Sequence, residues 1–456
     1  MAAIQKNNSY EAVIIGMTSE GNGVARIDGF AVFIPNTAIG DRVKFKAVKV
    51  LAHYGYGIVE EILTPSPDRI ENDCPVFEQC GGCCYRHISY EAECRLKQQQ
   101  VQDAFARLGG ITLQPEEIVG GKESSAYRNK AQFPIGLNSD KKAVTGFFAS
   151  RSHRIVKSDN CKLLPPLMNE IARDVVRFIN KNKLKVYDEK AHTGVFRHVY
   201  LRYAKTTGQV MVCIVSTAPN LPKEEAFVEF LTSRHPQIHT IVVNHNPHRT
   251  NVILGEGERV IYGDGVITDM MCGVTVEISP KAFYQVNHDQ AQRLYEQAID
   301  YAQLRPAETL LDLYCGIGTI GLSAAERVKL LIGAEIIPEA VENAERNASL
   351  NGFENTRFLC ADCSEAVKTL ETEGVQPDVL IVDPPRKGCA PEVLDTIVRF
   401  QPSRVVMVSC NASTAARDCK YLEERGYRVE KYRPFDLFPR TKHTECVVLL
   451  HKNEIV

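Results

Sequence analysis

Two side chains near the C-terminus are of the types that covalent catalysis needs. Cys410, in Ser409-Cys410-Asn411, closes the apolar run that starts at Arg404, and Glu445 opens the next one, Cys446 to Leu450. A thiolate in such a place can add to an electrophilic carbon, and a carboxylate can take up a proton later in the same cycle. Asp383-Pro-Pro-Arg386 follows a third apolar run and contributes a carboxylate and a guanidinium. Each residue taken alone has a plainer reading, because a strand-end cysteine is more often a small buried apolar group and a lone acid is usually solvated.

The surrounding elements strengthen the catalytic reading. Thr309 to Leu313, Leu330 to Glu335, Asp378 to Asp383 and Arg404 to Ser409 are short apolar runs separated by helical patterns, which predicts a doubly wound α/β sheet with strands buried on both faces. In such a sheet the strand ends face the ligand crevice. Asp312-Leu-Tyr-Cys-Gly-Ile-Gly-Thr-Ile-Gly321 follows a strand and opens a helix, so its glycines let the backbone turn and approach a ligand. Glu335 ends the next strand, about 20 residues on, where an acid accepts hydrogen bonds from ribose hydroxyls. Asp362 ends a further strand within reach of an adenine amino group. The loop begins with an acid, a departure from the dinucleotide fingerprint. An anionic loop repels pyrophosphate and suits a cationic cofactor without phosphate, so S-adenosylmethionine is favoured over a nicotinamide dinucleotide.

A thiol, a carboxylate and a methyl donor together answer one chemical difficulty. The C5 carbon of uracil is too poor a nucleophile to take a methyl group unaided. A thiolate adding at C6 makes the ring an enolate whose C5 can attack, and a base must then remove the C5 proton before the thiol leaves. Cys410 and Glu445 fill these roles, Asp383 is placed for the uracil edge or the cofactor amino group, and Arg386 for the phosphate or the enolate charge. The competing chemistry, N-methylation of a base amino group suggested by Asp383-Pro-Pro, needs no thiol adduct.

Phe283-Tyr-Gln-Val-Asn287, the glycine loop, Asp383-Pro-Pro-Arg386, Ser409-Cys-Asn411 and Phe438-Pro-Arg-Thr-Lys-His-Thr-Glu445 together resemble the RNA uracil-5 methyltransferases. The resemblance implies a class I methyltransferase domain, Cys410 as nucleophile, Glu445 as base, and Gln285, Tyr314, Glu335, Asp362 and Asp383 around S-adenosylmethionine. Ala412 and Thr444 depart from the proline and valine that are frequent there, without removing a reacting group.

Residues 7 to 62 alternate apolar and polar positions between glycines, as short strands of a small β-barrel do. The turn Glu20-Gly-Asn-Gly-Val24 and the strand after it resemble the OB-like TRAM domain. Past Thr64-Pro-Ser-Pro67, Cys74-x5-Cys80-Gly-Gly-Cys83 puts three thiols in one loop, and Cys161 offers a fourth. Four thiolates suit zinc or an iron–sulfur cluster, and spacing leaves both open. The pattern resembles the 4Fe-4S motif of the ribosomal RNA branch of the same family, which implies a cluster rather than zinc and 23S ribosomal RNA as partner, with transfer RNA as the alternative. Between Lys122 and Lys162, nine Lys/Arg stand against three acids, and Tyr127, Phe133, Phe147 and Phe148 interleave with them. Rings beside cations suit unpaired nucleotides.

The expected organisation is a TRAM barrel over 1–63, a central α+β iron–sulfur and RNA-binding region over 64–265 whose segment near 93–126 packs on the catalytic domain, and a methyltransferase domain over 266–456. The 456 residues carry ordinary globular proportions, 44% hydrophobic and 24% charged, and a net charge of −2, so RNA binding must rest on local patches rather than overall charge, and DNA is not an expected partner. No run approaches the roughly 18 apolar residues that cross a bilayer, and the opening residues lack the apolar core of a secretory signal. The expected compartment is the cytoplasm, where the 15 cysteines stay mostly reduced. The oligomeric state is not legible.

Overall fold

The computed structural model describes residues 4–150 and 152–453. Arg151, counted above in the cationic stretch, lies outside them, as do the outermost residues of the first and third expected divisions.

Alternation in the first part of the chain produces β1 (Ser9–Val13), β2 (Gly16–Met17), β3 (Gly23–Ile27), β4 (Phe30–Ile34), β5 (Arg42–Val50) and β6 (Tyr54–Thr64), paired in the order β1-β5-β6-β4-β3-β2. Val43, Phe45 and Ala47 point inward from β5 and meet Val32 and Ile34 in a small core. Gly57 must be a glycine there, since a Cβ on it would stand 2.5 Å from the Phe45 ring.

The next part is a mixed sheet of β7 (Lys130–Leu137), β8 (Ala143–Phe148), β9 (Ile155–Lys157), β10 (Phe196–Tyr203), β11 (Val210–Ser216), β12 (Ile238–His245) and β13 (Gly257–Tyr262), in the order β13-β12-β11-β10-β7-β8-β9. Met168, Ile171, Ala172, Val175, Phe178 and Ile179 recur at helical spacing along α2 (Pro166–Lys181) and seal one sheet face together with α3 (Glu224–Arg234). This corrects the reading of the aromatic residues. Phe133 is in the core under α2, and Tyr127 is buried with its hydroxyl donating to the Pro439 carbonyl at 3.0 Å. Neither ring is free to stack on a base; strand alternation alone does not reveal which face a helix will cover.

After the hairpin β14 (Ile267–Met271) and β15 (Val274–Ile278), the last part is the doubly wound sheet. Its strands are β16 (Thr309–Leu313), β17 (Leu330–Glu335), β18 (Thr356–Cys360), β19 (Val379–Val382), β20 (Arg404–Ser409), β21 (Tyr427–Phe435) and β22 (Glu445–Lys452), in the order β18-β17-β16-β19-β20-β22-β21. The first five run parallel and β22 runs antiparallel to β20. One face is covered by α4 (His288–Ala302), α5 (Thr319–Ala324) and α6 (Pro338–Leu350), the other by α7 (Cys363–Thr372), α8 (Pro391–Phe400) and α9 (Ala412–Glu423). The α/β expectation, with a class I methyltransferase sheet behind an N-terminal β-domain, therefore holds. Helix α1 (Tyr90–Ala104) crosses over from the cysteine loop, and Phe105 just beyond it stacks on Tyr432 with ring centres 4.2 Å apart. Among the described residues no helix is long and apolar enough to cross a membrane.

Candidate active site

Strand order reverses around β16, with β17 on one side and β19 on the other, and the loops leaving β16 and β19 part to open a crevice. On one side of it the backbone turns through left-handed conformations at Tyr314, Gly316 and Gly318, which only glycine adopts without cost. Nothing fills the space where a Gly316 side chain would be. Glu335 steadies this loop, accepting from the Gly316 amide at 3.1 Å and from the Ile336 and Ile337 amides at 2.8 and 3.0 Å. Tyr314, Glu335 and Asp362 line a common cavity of about 390 Å³ with Ile336 and Ala390. Asp362 also caps α7, accepting from the Ser364 and Glu365 amides. Beneath the loop Asp312 is fully buried. One of its oxygens accepts from the Gly321 amide at 3.0 Å and the other has no partner, and burial pushes its carboxyl up to about 8.

Asp383 and Gln285 do not line that cavity. They belong to a second group at the ends of β19, β20 and β22. A parallel strand delivers its last residue to the sheet edge, and an antiparallel one delivers its first. Because Ser409 pairs with Cys446 in that antiparallel register, Cys410 and Glu445 are the next residues along the facing chains at the edge where Asp383 follows β19. Glu445 is 3% exposed, and burial first, then the Asp383 charge, pushes its carboxyl up to about 8 against the opposing pull of Arg386. Asp383 is partly open to the crevice but enclosed by protein elsewhere, and desolvation raises it to about 7. Burial, then Glu445 and Asp383, push the Cys410 thiol up to about 11, while Arg386 opposes them. Asn411 caps α9 through the Ser413 amide and donates to the Arg386 carbonyl at 3.1 Å, tying the Pro-Pro-Arg turn to the thiol.

Cys410 opens into a cavity of about 360 Å³ bounded by Arg386, Lys442 and His443, by α1, and by Ser19 and Glu20 of the barrel. Two residues that sequence reasoning missed belong here. Tyr295, buried on α4, faces this group: burial and the charges of Asp383 and Glu445 oppose its ionisation, and a hydrogen bond with Gln285 favours it. His443 lies 3.2 Å from the Arg386 guanidinium, and burial together with that cation lowers its imidazole to about 4, so the ring is neutral. The two-residue spacing of His443 and Glu445 was the available signal. Tyr295 occupies an ordinary apolar position of an amphipathic helix and gave none.

The segment Asp436–Thr444 that leads into Glu445 is anchored from distant parts of the chain. Asp436 accepts from Tyr90 Oη at 2.8 Å and from Lys97 Nζ at 2.7 Å, and Lys97 also bonds Glu93 at 2.8 Å, all three charges being buried. The Arg440 amide donates to Glu93 at 2.7 Å, and its carbonyl accepts from the Cys84 and Tyr85 amides at 2.9 and 3.2 Å. The thiol loop is thus bonded directly to the loop that delivers Glu445.

Cys74, Cys80, Cys83 and Cys161 line one cavity of about 270 Å³ with Arg86, Arg128, Lys130, Lys162 and the apolar walls of Phe77 and Phe147. Among the described residues no three Cys, His, Asp or Glu side chains converge tightly enough to hold a single ion. The adjacent Cys84 packs instead with Tyr85 and Met17.

Residues 89–453 match the family model of the tRNA (uracil-5-)-methyltransferases, and residues 6–59 match the TRAM domain. The chain belongs to this methyltransferase family. Relatives in it include an uncharacterized RNA methyltransferase of Halalkalibacterium halodurans, 43% identical over 98% of both chains, and one of Listeria monocytogenes, 40% identical over 99% of both. Among solved structures, that of the Pyrococcus abyssi tRNA (uracil-54, C5)-methyltransferase in complex with S-adenosyl-L-homocysteine matches with a TM-score of 0.79 and 27% identity, over 97% of this chain and 100% of that one. The crevice described above is therefore that of an RNA uracil-5 methyltransferase carrying a TRAM domain.

Proposed function

We propose that this methyltransferase moves a methyl group from S-adenosylmethionine to C5 of a uridine in 23S ribosomal RNA through a covalent bond between Cys410 and C6. The observation that carries the reading is the strand register that sets Cys410 beside Glu445 at the mouth of one crevice, with Asp383 between them and the glycine loop. Tyr314, Glu335 and Asp362 would hold the adenosine end of the cofactor, and the unpartnered oxygen of Asp312 and the Asp383 carboxyl suit a cationic ligand nearby. When bound, S-adenosylmethionine supplies an electrophilic methyl group and a positive charge.

The residues of the chain do the rest. Cys410 loses its proton to solvent, leaving Glu445 ionised, and the sulfur bonds C6, sending the ring electrons to O4 as an enolate that Arg386 steadies. C5 would then take the methyl group that the cofactor supplies, the bond between that carbon and the sulfonium sulfur breaking as the new one forms. Glu445 then takes the C5 proton, the C5–C6 double bond re-forms and the Cys410 thiolate leaves. Tyr295, hydrogen-bonded to Gln285, stands beside both carboxylates.

The four thiols around the second cavity fit a 4Fe-4S cluster. They ring a space rather than meet at a point, as ligands to several metal atoms must, and Arg86, Arg128, Lys130 and Lys162 offset the negative charge that deprotonated thiols bring. Such a cluster would tie Cys161 to the loop that grips Arg440. The four cysteines, which resemble those of the ribosomal branch, favour ribosomal RNA. A transfer RNA substrate is the second reading, favoured by the full-length similarity to the Pyrococcus abyssi enzyme.

Mapping 5-methyluridine in ribosomal and transfer RNA from cells with and without the protein decides between them: loss from 23S RNA is expected, and loss from transfer RNA alone overturns that choice. A denaturant-stable complex with RNA carrying 5-fluorouridine, whose fluorine cannot leave as a proton, is expected for the unaltered chain and absent for Cys410→Ala. Methyl transfer at the normal rate by Cys410→Ala would sink the mechanism.

A further inference from the structure

The cavity that Cys410 lines is closed on one side by a part of the chain nearly 400 residues away in sequence, the turn between β2 and β3. This turn is tightly built. The Gly21 amide donates to the Thr18 carbonyl at 3.0 Å, the Asn22 amide to the Thr18 hydroxyl at 3.1 Å, and Gln100 of α1 donates to the same Thr18 carbonyl at 3.2 Å. Gly21 adopts a left-handed conformation and packs so closely on Cys84 that a Cβ there would lie 2.8 Å from the Cys84 Cβ. The turn is therefore fixed against the same loop that grips Arg440, and it projects Glu20 over the cavity mouth, where Glu20 pairs with Lys442.

This ion pair has a position that calls for explanation. Arg386 and Lys442 are the cations of the cavity wall, and Glu20 is its sole acid among the described residues. A nucleotide whose base reaches Cys410 brings its own phosphate to the rim. We propose that Lys442 is a phosphate-binding residue for that nucleotide, and that Glu20 of the barrel occupies it as an internal anion until the phosphate displaces the carboxylate. The proposal rests on the reading of the cavity as the entry for an RNA nucleotide. It makes the barrel part of the target site: only a strand that presents a phosphate at the rim as its base enters can take Lys442 from Glu20.

The test is the equilibrium affinity of the full-length protein for an RNA hairpin with uridines in its loop, measured across a salt series. Glu20→Gln is expected to bind about two- to fivefold more tightly, the worth of a partly exposed ion pair. Its salt dependence should steepen by about 0.7 in log–log slope, since one phosphate contact no longer leaves an unpaired carboxylate that takes up a cation. Lys442→Gln should bind more weakly, and in the double variant the gain from Glu20→Gln should disappear. If the pair merely clamps the barrel in place, Glu20→Gln binds no better or worse than the unaltered protein, which overturns the proposal. Binding that follows the expected pattern without C5 methylation would leave this phosphate site standing and remove the uracil-5 reading. A protein without affinity for the hairpin would remove both.

Discussion

Cys83 and Cys410 are both thiols that burial holds protonated, one pushed up to about 12 and the other to about 11, yet their surroundings carry opposite charge. Around Cys83 and its three companions the charged side chains of the cavity wall are all cations. The charges that act most on Cys410 are those of Glu445 and Asp383, opposed by Arg386, and Lys442 also lines its cavity. The first setting lowers the cost of gathering several thiolates permanently. On the proposed mechanism, the second would keep a single sulfur as thiol until a positive ligand stands beside the carboxylates. The contrast teaches that burial raises both thiols alike, and that what separates them is the sign of the nearest charges.

The sharpest way to break this comparison is to remove a carboxylate from the second site. Glu445→Gln is expected to lower turnover by a factor of about 10² to 10⁴, the range for a lost general base, while adduct to unmodified RNA accumulates because C5 keeps its proton. Normal turnover with no adduct on a denaturing gel would show that the acid beside Cys410 takes no part.

A smaller effect is expected at the cationic site. Cys83→Ser, or treatment with an iron chelator, should strip bound iron and lower Tm by about 5 °C or more, because a cluster held only by the folded chain stabilises it. Iron content and the unfolding temperature are the measurements. A variant that binds no iron yet melts with the unaltered protein would detach the four thiols from the fold's stability.

The smallest effect concerns proton linkage. Asp383 has a folded value of about 7, above the roughly 3.9 of an unfolded aspartate, so the native state binds the proton more tightly. Its stabilising contribution is complete below about pH 4 and is lost as pH rises through about 7. Asp383→Asn, which cannot ionise, should therefore raise Tm by about 2 to 4 °C at pH 9 and by little at pH 5. An equal shift at both pH values would mean that the carboxyl titrates normally.

Much of the site was legible because topology does the placing. An apolar run that ends in Asp, Glu or Cys within a doubly wound sheet puts that residue at the crevice, and this rule identified Glu335, Asp383 and Cys410 without knowledge of any contact. It did not reveal that Glu445 faces Cys410, which depends on β22 running antiparallel, a matter of strand order that local pattern does not contain. Tyr127 and Phe133 were misread because cations nearby in sequence say nothing about which sheet face α2 covers. Lys97 shows the same limit in another form: in sequence it is one more lysine on a polar helix, and Asp436, from 339 residues away, joins Glu93 in pairing its buried charge.

That long-range pairing sets a condition on how the molecule comes into being. The partners that seat Asp436 and Arg440, Glu93 and Lys97, leave the ribosome long before the strand that begins at Glu445. No chain that stops short of Glu445 can assemble the candidate site, and a product truncated before Asp436 leaves two buried charges, Glu93 and Lys97, without that partner. The surroundings of Glu445 are thus completed only when this later stretch of the chain folds back onto residues 84–97.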